Sequence, residues 1–242
     1  MPTESVPSDL PGVVVAGTSS GVGKTIATLA VCRALERAGK TPVAAKAGPD
    51  FIDPSHHAAV LGRPSRTLDP WLAGEDGMRR TYWRGAGDIC VVEGVMGLYD
   101  GSKTSTAAVA EGLDLPVVLV VDAKAGMESV AATALGFAQY ADRIGIDIDV
   151  AGILAQRAHG GRHADGVKDA LPEELTYFGR IPPMSDLEIP DRHLGLHMGS
   201  EAGLDRDALS TAAETIDVER MVDVAREPPE VAPQGNDSDG VA

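Results

Sequence analysis

The sequence predicts an α/β protein: a doubly wound, mostly parallel sheet around a phosphate-binding loop. Three observations predict it. A glycine-rich segment, Gly17-Thr-Ser-Ser-Gly21-Val-Gly23-Lys24-Thr25, stands between an apolar run and a helical pattern. The strand candidates are apolar on both faces, as buried parallel strands are. Strand and helix candidates alternate along the chain, and such folds bind ligands at the C-terminal ends of their strands.

The first strand, Val13–Ala16, leads into that loop, and a helix over Thr25–Ala38 follows it. Glycines let backbone N–H groups close around phosphate oxygens, and the helix N-terminus adds its positive end. Gly17, Ser19, Ser20, Gly21 and Gly23 form the cradle. Lys24 reaches the β- and γ-phosphates of ATP, and the Thr25 hydroxyl holds Mg²⁺. Gly17 stands one residue earlier than the usual spacing, which narrows the set of families. The plain alternative is a chance Gly/Ser turn.

The second strand, Val43–Lys46, opens Lys46-Ala-Gly-Pro-Asp50-Phe-Ile-Asp53-Pro-Ser-His-His57. Two carboxylates three residues apart, beside a lysine, suit a metal–phosphate centre, because Mg²⁺ takes one or two carboxylates plus phosphate oxygens and water. An Asp-Pro turn with helix-capping acids is the alternative. A short helix, Met78–Arg84, precedes the third strand, Ile89–Glu93. Glu93 then begins Glu93-Gly-Val-Met-Gly-Leu-Tyr-Asp100-Gly. An acid at that strand end is a second Mg²⁺ ligand or water anchor, and its alternative is a solvated strand-end glutamate. Helix Thr106–Glu111, strand Val117–Asp122, helix Glu128–Ile144, strand Val150–Leu154, helix His163–Ala170 and strand Thr176–Gly179 continue the alternation. A final helical stretch spans Arg206–Ala225. Residues 1–11 read as a flexible start, 12–225 as one domain, and 226–242 as a linker or disordered tail.

Composition excludes several classes. With 36 acidic against 21 basic residues and a net charge of −15, the chain lacks the basic surface that nucleic acid requires. Acids spread along the whole chain point to a protein adapted to high salt, where screening removes self-repulsion. The longest apolar run, Leu115 to Val121, is too short to span a membrane. The polar N-terminus does not read as a signal peptide, so a cytoplasmic protein is expected. Two cysteines, Cys32 and Cys90, give neither a disulfide framework nor a zinc pattern.

These blocks, with Gly62-Arg-Pro-Ser-Arg-Thr-Leu-Asp-Pro-Trp71 and Ile189-Pro-Asp-Arg-His-Leu-Gly-Leu196, run in order over roughly residues 12–200. In them the chain resembles the ATP-binding half of the cobyrinic acid a,c-diamide synthase family, within the dethiobiotin synthetase-like group. The resemblance implies ATP and Mg²⁺ as cofactors and a corrinoid small molecule as substrate. The implied reaction is amidation of the a and c acetate carboxylates through an acyl phosphate. It also implies Lys24 as the phosphate lysine, Thr25, Asp53 and Glu93 as metal ligands, and Lys46, Asp50, Asp53 and Glu93 as catalytic residues. Gln156 occupies the adenine-pocket position, where the family carries Asn. Arg63, Arg66 and His193 are candidates for the corrin carboxylates, with surface salt bridging as the alternative. The family's C-terminal glutamine amidotransferase domain has no counterpart here, so ammonia is expected free or from a separate glutaminase domain. A homodimer is an expectation carried by related folds.

Two other readings stand beside this one. A diamide synthase acting on a nickel-containing sirohydrochlorin-type ring would share these blocks. A partition-type ATPase switch protein would share the fold, but usually carries a lysine near the start of its loop, where positions 18 to 20 here are Thr-Ser-Ser.

Overall fold

The computed structural model describes residues 9–101, 103–187, 191–192, 195–196 and 204–231. Its elements are β1 (Gly12–Gly17), α1 (Lys24–Arg37), β2 (Pro42–Ala47), α2 (Ile52–Leu61), β3 (Arg66–Leu68), α3 (Pro70–Trp83) and β4 (Ile89–Glu93). They continue with α4 (Thr106–Leu113), β5 (Val117–Asp122), α5 (Glu128–Ile144), β6 (Val150–Gln156), α6 (Arg162–Ala170) and β7 (Thr176–Ile181). A 3₁₀ turn (Ser185–Leu187), a short antiparallel pair, β8 (Asp191–Arg192) with β9 (Gly195–Leu196), and helices α7 (Arg206–Ala213) and α8 (Val218–Val224) complete the described chain.

Seven strands form one sheet in the order β3-β2-β4-β1-β5-β6-β7, and every pairing in it is parallel. The reason lies in the strand sequences: Val13, Val15, Val91, Val118 and Val120 are fully buried on one face, and Val14, Val92, Val117 and Leu119 on the other. Helices α1, α7 and α8 cover the first face, and α3, α4, α5 and α6 the second. The chain leaves β1 for β2 and β3 on one side, returns to β4, and crosses β1 to reach β5. That reversal places β1 at the switch point where open α/β sheets bind ligands.

Four features depart from the expectation. Helix α2 is the segment that reads as an Asp-Pro turn, but Pro54 lies in its first turn, where the missing N–H costs nothing. The short edge strand β3 and the front of α3 are also additional. Asp69 caps α3 by accepting from the N–H groups of Trp71 and Leu72, with Pro70 as its first residue. Gly74 then breaks the helix at φ 68°, so only its second half carries a clean periodicity. The single helix expected over Arg206–Ala225 is two. Between them Thr215 and Ile216 run beside β7, where the Arg180 N–H donates to the Thr215 carbonyl and the Asp217 N–H to the Phe178 carbonyl. Asp217 then caps α8. This detour covers an otherwise open sheet edge.

Both expected flexible ends meet packed chain at their borders. Leu10 is in the core, and its carbonyl accepts from the Tyr82 hydroxyl. Arg226 exchanges two backbone hydrogen bonds with Gly12, and Val231 packs on the core. Residues 1–8 and 232–242 lie outside the described residues.

Candidate active site

The site is assembled by sheet register. Lys46, near the end of β2, is the register partner of Glu93 at the end of β4, and Glu93 is also the partner of Val15 on β1. Side chains at partner positions of parallel strands share a face. Lys46 and Glu93 therefore meet on the face covered by α1, whose first two residues are Lys24 and Thr25. Asp50 accepts from the Ile52 N–H at the start of α2, and Asp53 follows in its first turn.

Four charged groups converge. Lys46, 1% exposed, places Nζ 2.5 Å from Asp53 Oδ2 and 3.1 Å from Glu93 Oε1, and donates to the Gly94 carbonyl at 2.8 Å. Asp50 Oδ2 stands at 4.0 Å. The Thr25 hydroxyl lies 2.8 Å from Glu93 Oε1 and 3.3 Å from Asp53 Oδ1. Glu93 Oε2 is held by His57 Nε2 at 2.6 Å, and His57 Nδ1 meets Ser65 Oγ at 2.9 Å.

Environment drives the two carboxylates apart. Burial raises Asp53, the charge of Glu93 raises it further, and Lys46 only partly compensates, leaving it at about 7 against an ordinary 3.8. Burial also opposes ionisation of Glu93, but the His57 hydrogen bond and charge, with Lys46, outweigh it and lower it to about 2. Burial and the neighbouring Lys46 lower Lys24, while the two carboxylates oppose that. Glu93 is thus a fixed anion, and Asp53 ionises near neutrality.

The loop around the lysine at the head of α1 is shaped by backbone geometry. Gly23 has φ 99°, and a Cβ there would lie 2.6 Å from Gln156 Nε2. That left-handed conformation and close approach require glycine. Lys24 Nζ donates to the Ser19 carbonyl at 3.1 Å and to the Met96 carbonyl at 2.5 Å. Met96 has φ 49°, a costly conformation for a non-glycine residue, and it presents that carbonyl. Thr106 braces the same turn by accepting from the Val95 N–H and donating to the Val95 carbonyl.

Ser20, Gly21, Gly23, Lys24, Thr25, Lys46, Asp50, Asp53, Glu93 and Gln156 all line one cleft of about 850 Å³. Gly17 and Ser19 contribute through the backbone: the Gly17 carbonyl accepts from the Leu98 N–H, and the Ser19 carbonyl holds Lys24. Gln156 Oε1 is buried without a hydrogen-bond partner among the described residues, on the wall away from the carboxylates' strands. Arg63 and Arg66 do not line the cleft; Arg66 sits on β3 opposite Ala45. His193 lies outside the described residues. Cys32 and Cys90 are free and buried, and burial pushes both thiols up, Cys90 to about 12.

The structure adds residues that the motifs did not single out. His57 lies four residues after Asp53, one helical turn along α2, a spacing with meaning only once that helix is known. Lys124 and Arg157 enter the cleft from the ends of β5 and β6. Arg157, at φ 59°, makes a two-point contact with Asp122 at 3.0 and 2.5 Å. Thr25 Oγ1, Asp53 Oδ1 and Glu93 Oε1 form a hard oxygen set. Among the described residues no cluster of three or more His, Cys, Asp or Glu makes a closed metal cage. Two carboxylates and a hydroxyl suit an ion that completes its shell with phosphate oxygens and water.

The sequence profile of the CobQ/CobB/MinD/ParA nucleotide binding domain matches residues 13–196, from β1 past the whole cleft. The chain belongs to this family. Within the CobQ/CobB/MinD/ParA group, the cobyrinate a,c-diamide synthase of Haloarcula marismortui is 87% identical over 221 residues, covering 91% of this chain and 50% of that protein. That of Halobacterium salinarum is 70% identical over 222 residues, with 92% and 50% covered. The hydrogenobyrinate a,c-diamide synthase of Stutzerimonas stutzeri is 39% identical over 214 residues, with 85% and 49% covered. The chain spans about half the length of the curated relatives it matches. The first two come from organisms named for salt, in keeping with the acidic composition. Among solved structures, the septum site-determining protein MinD with Mg-ADP from Pyrococcus horikoshii aligns at TM-score 0.50 and 13% identity, covering 88% of this chain and 94% of that one. A Cyanothece McdA–ATP complex aligns at TM-score 0.51 and 15% identity, covering 90% and 98%. These two likenesses concern the fold of the nucleotide binding domain. Among the described residues no helix is long and apolar enough to cross a membrane.

Proposed function

We propose that this chain is the ATP-binding synthetase half of a corrinoid a,c-diamide synthase, acting in cobalamin biosynthesis in the cytoplasm, with residues 12–225 as its catalytic domain. The observation that carries the reading is the buried Lys46 ammonium, held between Asp53 and Glu93 at the mouth of a phosphate loop. The diamide synthase names of the relatives support the substrate class. Relatives named for cobyrinate and for hydrogenobyrinate both match, which favours a corrin ring over a nickel-bearing one.

The residues divide the work. Ser20, Gly21 and Gly23 present backbone N–H groups to the phosphates, with Gly17 and Ser19 shaping the loop behind them. Lys24 exchanges its two carbonyl partners for phosphate oxygens. Thr25, Asp53 and Glu93 would hold Mg²⁺, which would supply neutralisation of the phosphate charge. Gln156 meets the base. Lys46 sits where the γ-phosphoryl group and a substrate carboxylate must approach, and offsets the repulsion of two anions. Asp50 keeps α2 and the lysine in register. A substrate carboxylate oxygen attacks the γ-phosphorus and ADP leaves; ammonia then attacks the acyl carbon and phosphate leaves. Neither buried thiol suits attack on glutamine, since a glutaminase nucleophile must be an accessible thiolate. Ammonia therefore comes free or from a separate glutaminase domain.

The test is an amidation assay on the purified chain with cobyrinic acid, ATP and Mg²⁺. Ammonia should give ADP and amide together, and glutamine alone should give neither. ATP hydrolysis that ignores the corrinoid would instead support a switch ATPase.

A further inference from the structure

A second cavity, of about 260 Å³, opens at the same end of the sheet, lined by Pro49, Asp69, Trp71, Lys103 and Thr104. It adjoins the first cleft through two shared loops. Pro49 precedes Asp50, which lines the first cleft, and the Gly48 N–H donates to the Leu68 carbonyl, tying that loop to the end of β3 just before Asp69. Lys103 and Thr104 follow the turn whose Met96 holds Lys24. The cavity thus flanks Lys46 and Asp50 on the side away from Gln156.

Its chemistry differs from that of the nucleotide cleft. Trp71 is 68% exposed and its neighbour Leu72 63%, costly exposures for large apolar side chains on a highly charged protein. Lys103 is exposed and has no ion-pair partner among the described residues. Asp69 spends Oδ1 on capping α3, and its Oδ2 has no hydrogen-bond donor among the described residues. The cavity therefore combines a flat apolar wall, a free cation and an unsatisfied acceptor.

We propose that this cavity and the Trp71 face receive the macrocyclic ring of the substrate: the ring lies against the indole, and Lys103 pairs with a ring carboxylate that is not being activated. The inference rests on the synthetase reading above and adds where the ring sits. A ring with many side chains is too large to share the first cleft with a nucleotide, so it must rest on the rim. On a chain of net charge −15, a polycarboxylate needs a local cation to land. The rim next to Lys46 supplies that cation beside an exposed aromatic face. A ring bearing carboxylates and, after the first round, an amide also matches a cavity lined by both the Lys103 ammonium and the open Asp69 Oδ2 acceptor.

The test uses the full chain with Trp71→Ala and Lys103→Glu, both at exposed positions where the core is untouched. Ammonia is the nitrogen source, and cobyrinic acid and ADP are the probes. The chain has two tryptophans, and Trp83 is buried, so cobyrinic acid should quench the emission of Trp71 selectively. We expect Trp71→Ala to lose that quenching and raise KM for cobyrinic acid about tenfold, the scale of one aromatic contact. Lys103→Glu should raise KM by at least that factor, and more at lower salt. Affinity for ADP and kcat should stay within about twofold of wild type in both. Unchanged KM and retained quenching in both variants, with wild type active, would overturn the ring site alone. So would a change only in oligomeric state, which would make the face a contact between copies. Wild-type chain that neither binds nor amidates cobyrinic acid would overturn the synthetase reading, and this inference with it.

Discussion

Replacing Asp53 by Asn should make the ligand-free protein more stable while destroying its activity. Asp53 is buried beside Glu93, and both effects hold its carboxyl up at about 7, against 3.8 when unperturbed. The folded value lies above the unfolded one, so ionisation favours the unfolded chain. The fold then loses stability as pH rises from about 4 towards 7, and the loss levels off above that. A rise of this size corresponds to on the order of 4 kcal/mol at pH 8. Asparagine removes the titration, and the value of about 7 already includes the attraction of Lys46, 2.5 Å away, so nothing more is subtracted for that pair. On the order of 4 kcal/mol is therefore the expected stabilisation at pH 8. For a chain of this size that is roughly 8–16 °C in Tm. Melting curves of the ligand-free wild type and variant from pH 4 to 8, at fixed high ionic strength, read it directly. The two curves should nearly coincide near pH 4 and separate up to pH 7. A variant less stable at pH 8, or a gap that does not change with pH, would refute the electrostatic account of the site. Turnover in the same variant should fall at least ~100-fold, because a preorganised anion is lost.

Glu93→Gln should behave with the opposite sign. Its carboxyl is lowered from 4.5 to about 2, so its contribution is present above pH 4.5 and fades as pH falls towards 2; melts should show the variant destabilised by on the order of 3 kcal/mol at pH 7, with the gap narrowing below pH 4.5 and nearly closed only at about pH 2. Lys24→Ala should abolish corrinoid-dependent ADP formation, and unchanged turnover would remove the phosphate-loop assignment. The melting temperature should rise between dilute buffer and molar KCl as salt screens the net charge of −15, and a flat or falling curve would count against adaptation to high salt.

Local signals carried the strands and the phosphate loop. Strands β1, β4 and β5 are short runs of valine and isoleucine bounded by turn residues, and their ends were legible to within one residue. Helix α5 announces itself by a 17-residue pattern closed by Gly145. Helix α2 was not legible, because its opening Ile-Asp-Pro-Ser reads as a turn, and only tertiary context chooses between a turn and a capped first turn. Helix α3 was half legible for the reason that Gly74 divides it. The break between α7 and α8 follows from the need to pair residues 215–217 with β7, a constraint from 35 or so residues away that no local pattern shows.

The site divides along the same line. That Lys46, Asp53 and Glu93 matter could be argued from strand-end placement alone, but their mutual contact depends on β4 lying between β1 and β2, which is a property of sheet order. Register then fixes the rest: Lys46 opposite Glu93 puts the ammonium within 3.1 Å of one carboxylate oxygen, and α2 brings His57 to the other at 2.6 Å. With one oxygen of Glu93 held by His57, only Oε1 is left to face Thr25 and Lys46. The same clamp explains why the two acids diverge in character. Glu93 has three cationic or donor neighbours, His57, Lys46 and the Thr25 hydroxyl, and stays ionised at any physiological pH, while Asp53 has Lys46 and an adjacent anion, and so stays near its titration point. A divalent cation between them would remove the repulsion that holds Asp53 up, so arrival of metal and nucleotide should release a proton from this one group at neutral pH. The buried ion cluster is therefore poorly arranged for stability and well arranged for a ligand that brings both phosphate and metal.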